Sequence, residues 1–316
     1  MLPSIDPDGP LRIELSFPKA LPGVSVGRFR SDARLYRSVK DRVATVTSEA
    51  GSCEWWARGK TWTSRPGTLQ IKLPGEVHRE LRRDGPSRFQ VVLFDDDVID
   101  EARLALARGP FMPPPRLALD EREPAGAPLS RLHALLREPD ADGLALQSAL
   151  AEALRALVCL SGGSTESERP RAWGAPVRRA IELARARFTE ALSLDDFEAH
   201  AGLDKFHLCR AFSDQVGLPP YAYVTHLRIA RAQTLLEQGV PPSEVAAQVG
   251  LCDQSQLNRH FKRILGLTPG QYARSARPAP RPFAPLAPSP RVAPPLPLGA
   301  ERFVHSPQAP PLSSRE

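Results

Sequence analysis

At 316 residues with 41% hydrophobic content, the chain has the length for two domains and enough apolar residues to give each a core. No run approaches the roughly 18 consecutive apolar residues of a membrane span, and residues 1–8 lack the basic and apolar regions of a secretory signal, so the expectation is a cytoplasmic protein with no membrane partner. A formal net charge of +6 favours a polyanionic partner wherever the charge clusters on one face. Cys53, Cys159, Cys209 and Cys252 form no C-x-x-C pair, which argues against a zinc knuckle or a disulfide framework.

From about Val24 to Phe94 the sequence breaks into short β-rich runs at 43–47, 53–56, 61–63, 68–73 and 89–94. Turn formers such as Gly51, Gly59, the Pro66-Gly67 and Pro74-Gly75 pairs and Gly85 separate them, which predicts a small β-sandwich or barrel. Strand alternation puts Trp55 and Trp56 on opposite faces, so only one of the two can line an interior.

Beyond Val98 the period changes. A short helix is expected around 99–106 and is stopped by the proline cluster ending at Pro115; two more are expected at 129–136 and 144–160. The last carries Leu144, Leu150, Leu154, Leu157 and Val158 on a broad apolar face, suited to core packing or to pairing two subunits. Residues 161–170, polar and small, read as a linker. Residues 276–316 hold twelve of the 34 prolines and read as a disordered, polyproline-like tail.

Between linker and tail lies an internal repeat. Residues 194–203 followed by Leu208, Arg210 and Phe212 match residues 243–251 followed by Leu257, Arg259 and Phe261. Each copy is a short amphipathic helix, a glycine, an apolar residue and a second helix bearing Leu-x-Arg-x-Phe, the pattern of a helix-turn-helix. Gly202 and Gly250 fall where the first helix must end in a left-handed cap. Phe197 with Ala201, and Val245 with Val249, then face the Leu-Phe pair of the second helix. Ser193 and Asp196 have capping-box spacing. Residues 221–238 predict one helix of about 27 Å, a rod able to space two reading helices roughly one 34 Å DNA turn apart.

These residues resemble the AraC/XylS family of bacterial transcription regulators over about a hundred residues. The resemblance rests on Leu227-Arg228-Ile229-Ala230-Arg231-Ala232, on 245–251, on Gln254 to Arg263, and on the closing Gly266-Leu267-Thr268-Pro269-Gly270-Gln271-Tyr272. It implies an α+β chain of two domains: a cupin-like β-barrel sensor and dimerisation domain with following helices at 11–160, and an all-α double helix-turn-helix DNA-binding domain at 171–275. It implies that Lys205, Phe206, Cys209 and Arg210 of the first module, and Gln254, Ser255, Gln256, Asn258 and Arg259 of the second, face the major groove. Arg210 suits a contact to guanine O6 and N7. Lys262 and Arg263 suit phosphate contacts, which position without specifying.

The passage 65–78 resembles the turn-strand-turn of a cupin-like sensor, and it makes Trp55, Trp62 and His78 candidate effector-binding residues. The His-x-His pair of metal-binding cupins is missing: Leu35-Tyr36-Arg37 stands upstream instead. The expectation is therefore no metal and no cofactor. The partners implied are double-stranded DNA, a small-molecule effector, RNA polymerase and a second copy of the chain. G-x-S-x-G, P-loop and G-x-G-x-x-G patterns are absent from the sequence, as is the Pro-Cys-His signature of DNA-repair methyltransferases that carry such a binding unit, so an enzyme is not expected.

Overall fold

The computed structural model describes residues 12–32, 34–85, 87–161 and 173–276. Most of the expected linker at 161–170 and nearly all of the proline-rich tail at 276–316 lie outside the described residues. The chain is α+β, with a β-rich N-terminal domain and a helical C-terminal one.

Among the described residues ten strands form two antiparallel sheets: β1 (Arg12–Ser16), β2 (Val24–Asp32), β3 (Arg37–Val39), β4 (Val43–Ala50), β5 (Cys53–Ala57), β6 (Lys60–Ser64), β7 (Thr68–Lys72), β8 (Val77–Arg83), β9 (Ser87–Phe94) and β10 (Ala118–Asp120). The larger sheet runs β1-β2-β9-β4-β7-β10 and the smaller β3-β8-β5-β6. The β-rich runs read from the sequence fall in β4, β5, β6, β7 and β9.

Alternation along these strands sorts side chains into layers. On β4, Thr45 and Thr47 face away from the small sheet and hold both ring nitrogens of His133, at 2.9 and 3.1 Å. His133 sits on α2 (Ala127–Leu135), which with α1 (Asp96–Ala105) and α3 (Gly143–Leu160) belongs to the domain's main apolar cluster. α3 has the length and composition of a membrane span. Its Leu146, Ala149, Ala153 and Leu157 are packed into that cluster, whereas Leu144, expected on the same apolar face, stands exposed.

The C-terminal domain consists of α4 (Ala175–Arg187), α5 (Leu194–Ala201), α6 (Lys205–Val216), α7 (Pro220–Glu237), α8 (Pro242–Gln248), α9 (Gln254–Leu265) and α10 (Pro269–Ser275). α7 is the common wall of two cores. Val224 and Leu227 join the cluster of α4, α5 and α6, while Ile229, Ala232 and Leu235 join that of α8, α9 and α10. Thirteen of its 18 residues are buried, far beyond the single apolar stripe of an ordinary surface helix.

The outer face of the small sheet meets this domain. Val39 and Val77 share a core with α4 and α7, and the Tyr223 hydroxyl donates to the Gly75 carbonyl at 2.7 Å. Trp56, outward where Trp55 is inward, covers Gly217 at the end of α6. Gly217 has φ +88°, and a Cβ there would stand 2.7 Å from the indole, so both the backbone and the contact require glycine. Arg42, in the turn before β4, pairs with Glu237 at the last residue of α7.

Candidate functional site

Each helix-turn-helix is assembled from its caps upward. Ser193 and Asp196 form a reciprocal capping box on α5: the Asp196 carboxylate accepts from the Ser193 amide at 2.8 Å, and the Ser193 hydroxyl accepts from the Asp196 amide at 3.2 Å. The Ser193 hydroxyl also donates to the Asp196 carboxylate at 2.6 Å, and that bond, with the one from the Ser193 amide, holds the Asp196 carboxyl below the usual range. α5 ends at Gly202 with φ +64°, and Gly250 follows α8 with φ +75°, the left-handed geometry the repeat requires. Asp204 then caps α6 through the Phe206 amide (2.9 Å), and Asp253 caps α9 through the Gln256 amide (2.6 Å).

The inward faces match between modules. Phe197, Ala201, Leu208 and Phe212 are buried in one cluster, and Val245, Val249, Leu257 and Phe261 in the other. Each is closed by a tyrosine packed edge-on: Tyr223 against Phe212, Tyr272 against Phe261. Fixing one face of α6 and α9 leaves the opposite face to solvent.

On α6 that free face carries Phe206, 77% exposed, and Arg210, with Cys209 half-buried beside them. Lys205 is held by Asp195 at 2.9 Å, an exposed pair that a phosphate could replace. On α9, Gln254, Ser255, Asn258, Arg259, Lys262 and Arg263 are all exposed. Gln256 differs from the expectation for it. It is half-buried: its backbone amide donates to the Asp253 cap at 2.6 Å, and its Oε1 reaches back past the cap to accept from the Cys252 amide at 2.9 Å, one residue before the position a capping box would use. The Asp-x-x-Gln spacing carries this signal in the sequence. Arg228, on α7, donates to the carbonyls of Phe188 (2.6 Å) and Glu190 (2.7 Å) after α4, so it braces the module.

In the N-terminal domain, Trp55, Trp62 and His78 come together. Trp55 stacks on Trp62 at 6.0 Å and lies 5.5 Å from the His78 ring, while its Nε1 donates to the Ser64 hydroxyl at 2.8 Å. Both ring nitrogens of His78, and Nε1 of Trp62, are buried without a hydrogen-bond partner. Such orphans are rare and mark a place for water or ligand. Burial, then Lys72, Lys40 and Arg58, hold His78 neutral by pushing its imidazole well below its ordinary value. Burial also lowers Lys72, and brings Lys40 down to about 8. A neutral imidazole beside two lysines can donate to, and sit next to, an acceptor-rich ligand. Among the described residues no group of three or more His, Cys, Asp and Glu stands in metal-binding arrangement.

Comparison with known proteins adds the following. Residues 33–158 match the model of the AraC-like ligand binding domain, and residues 198–275 that of a helix-turn-helix domain. The HTH-type transcriptional regulator YbfI of Bacillus subtilis, itself uncharacterized, is 29% identical over 193 residues, which is 61% of this chain and 70% of YbfI. The HTH-type transcriptional regulator MtrA of Neisseria gonorrhoeae is 38% identical over 82 residues, 25% of this chain and 27% of MtrA. An apo variant of ToxT from Vibrio cholerae has a similar fold: TM-score 0.51 at 13% identity, over 81% of this chain and 98% of that one. Wild-type ToxT with a bound unsaturated fatty acid also gives 0.51, at 12% identity, over 81% and 97% of the two chains.

Proposed function

This chain belongs to the AraC family of DNA-binding transcription regulators, with an N-terminal ligand-binding domain and a C-terminal helix-turn-helix domain, and from that premise we propose how it divides the work of recognition. The observation that carries the reading is the pair of exposed faces on α6 and α9, each held outward by a buried Leu-Phe pair and both footed on α7.

Base-edge readout falls to Arg210 and Phe206 in the first module, and to Gln254, Ser255, Asn258 and Arg259 in the second. Phe206 offers an apolar contact to a thymine methyl, and the arginines offer bidentate bonds to guanine. Lys205, Lys262 and Arg263 serve the phosphates. Cys209 is a bystander between readers, and Gln256 acts through the helix terminus with only its amide nitrogen free for DNA. The domains divide at the linker 161–170, with sensing and self-association before it, DNA binding at 171–275 and the tail after. Footprinting of the full chain on DNA mapped from cells tests this. Two protected half-sites one helical turn apart are expected, and equal affinity for mapped and scrambled duplexes would overturn it.

A small-molecule effector in the interior between the two sheets is the second part of the proposal, favoured by His78. Its unpartnered nitrogens, with Trp55 and Trp62 beside them, offer a polar anchor and an aromatic wall. Metabolite screening by thermal shift tests it: a hit lost in His78→Leu supports the site, and a hit unaffected by that change rejects it. RNA polymerase and a second copy of the chain complete the partners.

A further inference from the structure

Three arginines from two domains converge on one cleft. Arg37 on β3 and Arg79 on β8 are direct cross-strand partners, and Arg263 approaches from the end of α9. The cleft measures about 510 Å³, within the range of small-molecule sites. Its floor is apolar, from Leu218, Ala222 and Ile264, with His226 of α7 at the side.

Like charges set directly opposite on neighbouring strands repel. Glu80 is the one carboxylate among the lining residues, and its Oε2 already accepts from the Tyr36 amide (2.9 Å) and from Arg83 (2.7 Å). Among the described residues neither Arg37, Arg79 nor Arg263 makes an ion pair with a carboxylate. Arg79 is held instead over the Trp56 ring at 5.4 Å, with its Nε buried and lacking a partner. Among the described residues Arg263 meets the His260 ring, at 3.0 Å. Burial, with Arg37, Arg263 and His260 adding to it, brings His226 down to about 4, so this imidazole is a neutral wall. A fold that gathers three guanidinium groups around an apolar floor, and engages the only carboxylate elsewhere, has the complement of an anion with a compact apolar body.

We propose that this interdomain cleft binds a small organic anion, a phosphate ester or carboxylate, with Arg37, Arg79 and Arg263 on its charge and Leu218, Ala222 and Ile264 against its apolar part. The site is separate from the interior around His78, on the opposite face of the small sheet. The ligand would tie the sensor's β3 and β8 to α9. It would also occupy Arg263, so anion and DNA phosphate would compete for one guanidinium.

The test uses the full chain without DNA, so its outcome is independent of the base-reading assignment. Phenyl phosphate, benzoate, inorganic phosphate and phenol are titrated by calorimetry and thermal shift. Saturable one-to-one binding of phenyl phosphate or benzoate is expected, with phenol failing to bind; the tighter of the two anions identifies the head group. Because Arg37 and Arg263 are exposed, Arg37→Gln and Arg263→Gln should fold as the parent does and each weaken binding about tenfold. Absence of saturable binding by both organic anions would overturn the site. So would affinities unchanged in both variants, or inorganic phosphate binding as tightly as the organic anions, which would leave the apolar floor without a role.

Discussion

Arg42 Nη2 and Glu237 Oε2 lie 2.7 Å apart, with only 8% and 3% of their side chains exposed, joining the turn before β4 to the last residue of α7. The pair is not isolated. Arg42 also reaches Asp95 at 2.9 Å, and the other oxygen of Glu237 accepts from the Tyr272 hydroxyl at 2.7 Å. A chain of hydrogen bonds thus runs from the sensor through α7 to α10.

Removing one member leaves a buried charge without its partner. Glu237→Ala should destabilise the chain by about 3 kcal/mol, the low end for a broken buried pair because Asp95 still faces Arg42. Denaturant melts of the full chain check this, and amide exchange should rise in α10 before it rises in α5. Tyr272→Phe, which keeps the ring but removes the bond to Glu237 and the one the hydroxyl accepts from Gln233 (3.2 Å), should cost about 1–2 kcal/mol.

Gly217→Ala sets a methyl against Trp56 on a backbone with φ +88°. The expected loss is about 1–3 kcal/mol, part of it restored by Trp56→Leu in the double variant. Additive losses in the two variants would show that strain at Gly217, and not the indole, sets the cost.

Acid should loosen the sensor through His133. Burial, with Arg137 adding to it, brings this imidazole down to about 3, whereas an unfolded histidine titrates near 6.5. Between those values the unfolded chain takes up a proton that the folded one refuses. The contribution is fully present above about pH 6.5 and is lost as pH falls, at up to about 1.4 kcal/mol per pH unit. His226, lowered to about 4, acts in the same direction. Denaturation at pH 7, 6 and 5 should show the decline, and His133→Gln should lower stability at pH 7 and flatten the dependence.

On DNA, Arg259→Ala should weaken binding to the mapped site by roughly 1–3 kcal/mol with little effect on scrambled duplex. Lys262→Ala should weaken both alike and lower the salt slope by about one. Titrations at several salt concentrations separate the two behaviours, and equal losses for Arg259 on both duplexes would remove it from the readers.

The helical domain was legible because local rules and tertiary packing agree there. Ser193, Gly202 and Gly250 act through the backbone within a few residues, and Phe197, Leu208 and Phe212 follow helical spacing into one core. β8 was not legible: Val77–Arg83 reads VHRELRR, whose charged residues hide any alternation, and it becomes a strand through pairing with β3 and β5. β10, three residues long, pairs with β7 across some fifty positions. Alternation separated Trp55 from Trp56, yet gave no hint that the outward ring meets a second domain. Arg42 and Glu237 stand 195 residues apart, and no local pattern joins such a pair.

α7 gives up solvent on nearly every side, with Thr225, Thr234 and Glu237 buried along with its apolar residues. A helix so enclosed has no slack to bend or roll, which makes the angular phase between the two reading heads a fixed property of the protein. The operator must therefore supply the matching phase. One base pair inserted between its half-sites turns the second by roughly 34–36° about the duplex axis, and the protein can follow only by twisting the DNA or letting go of one half.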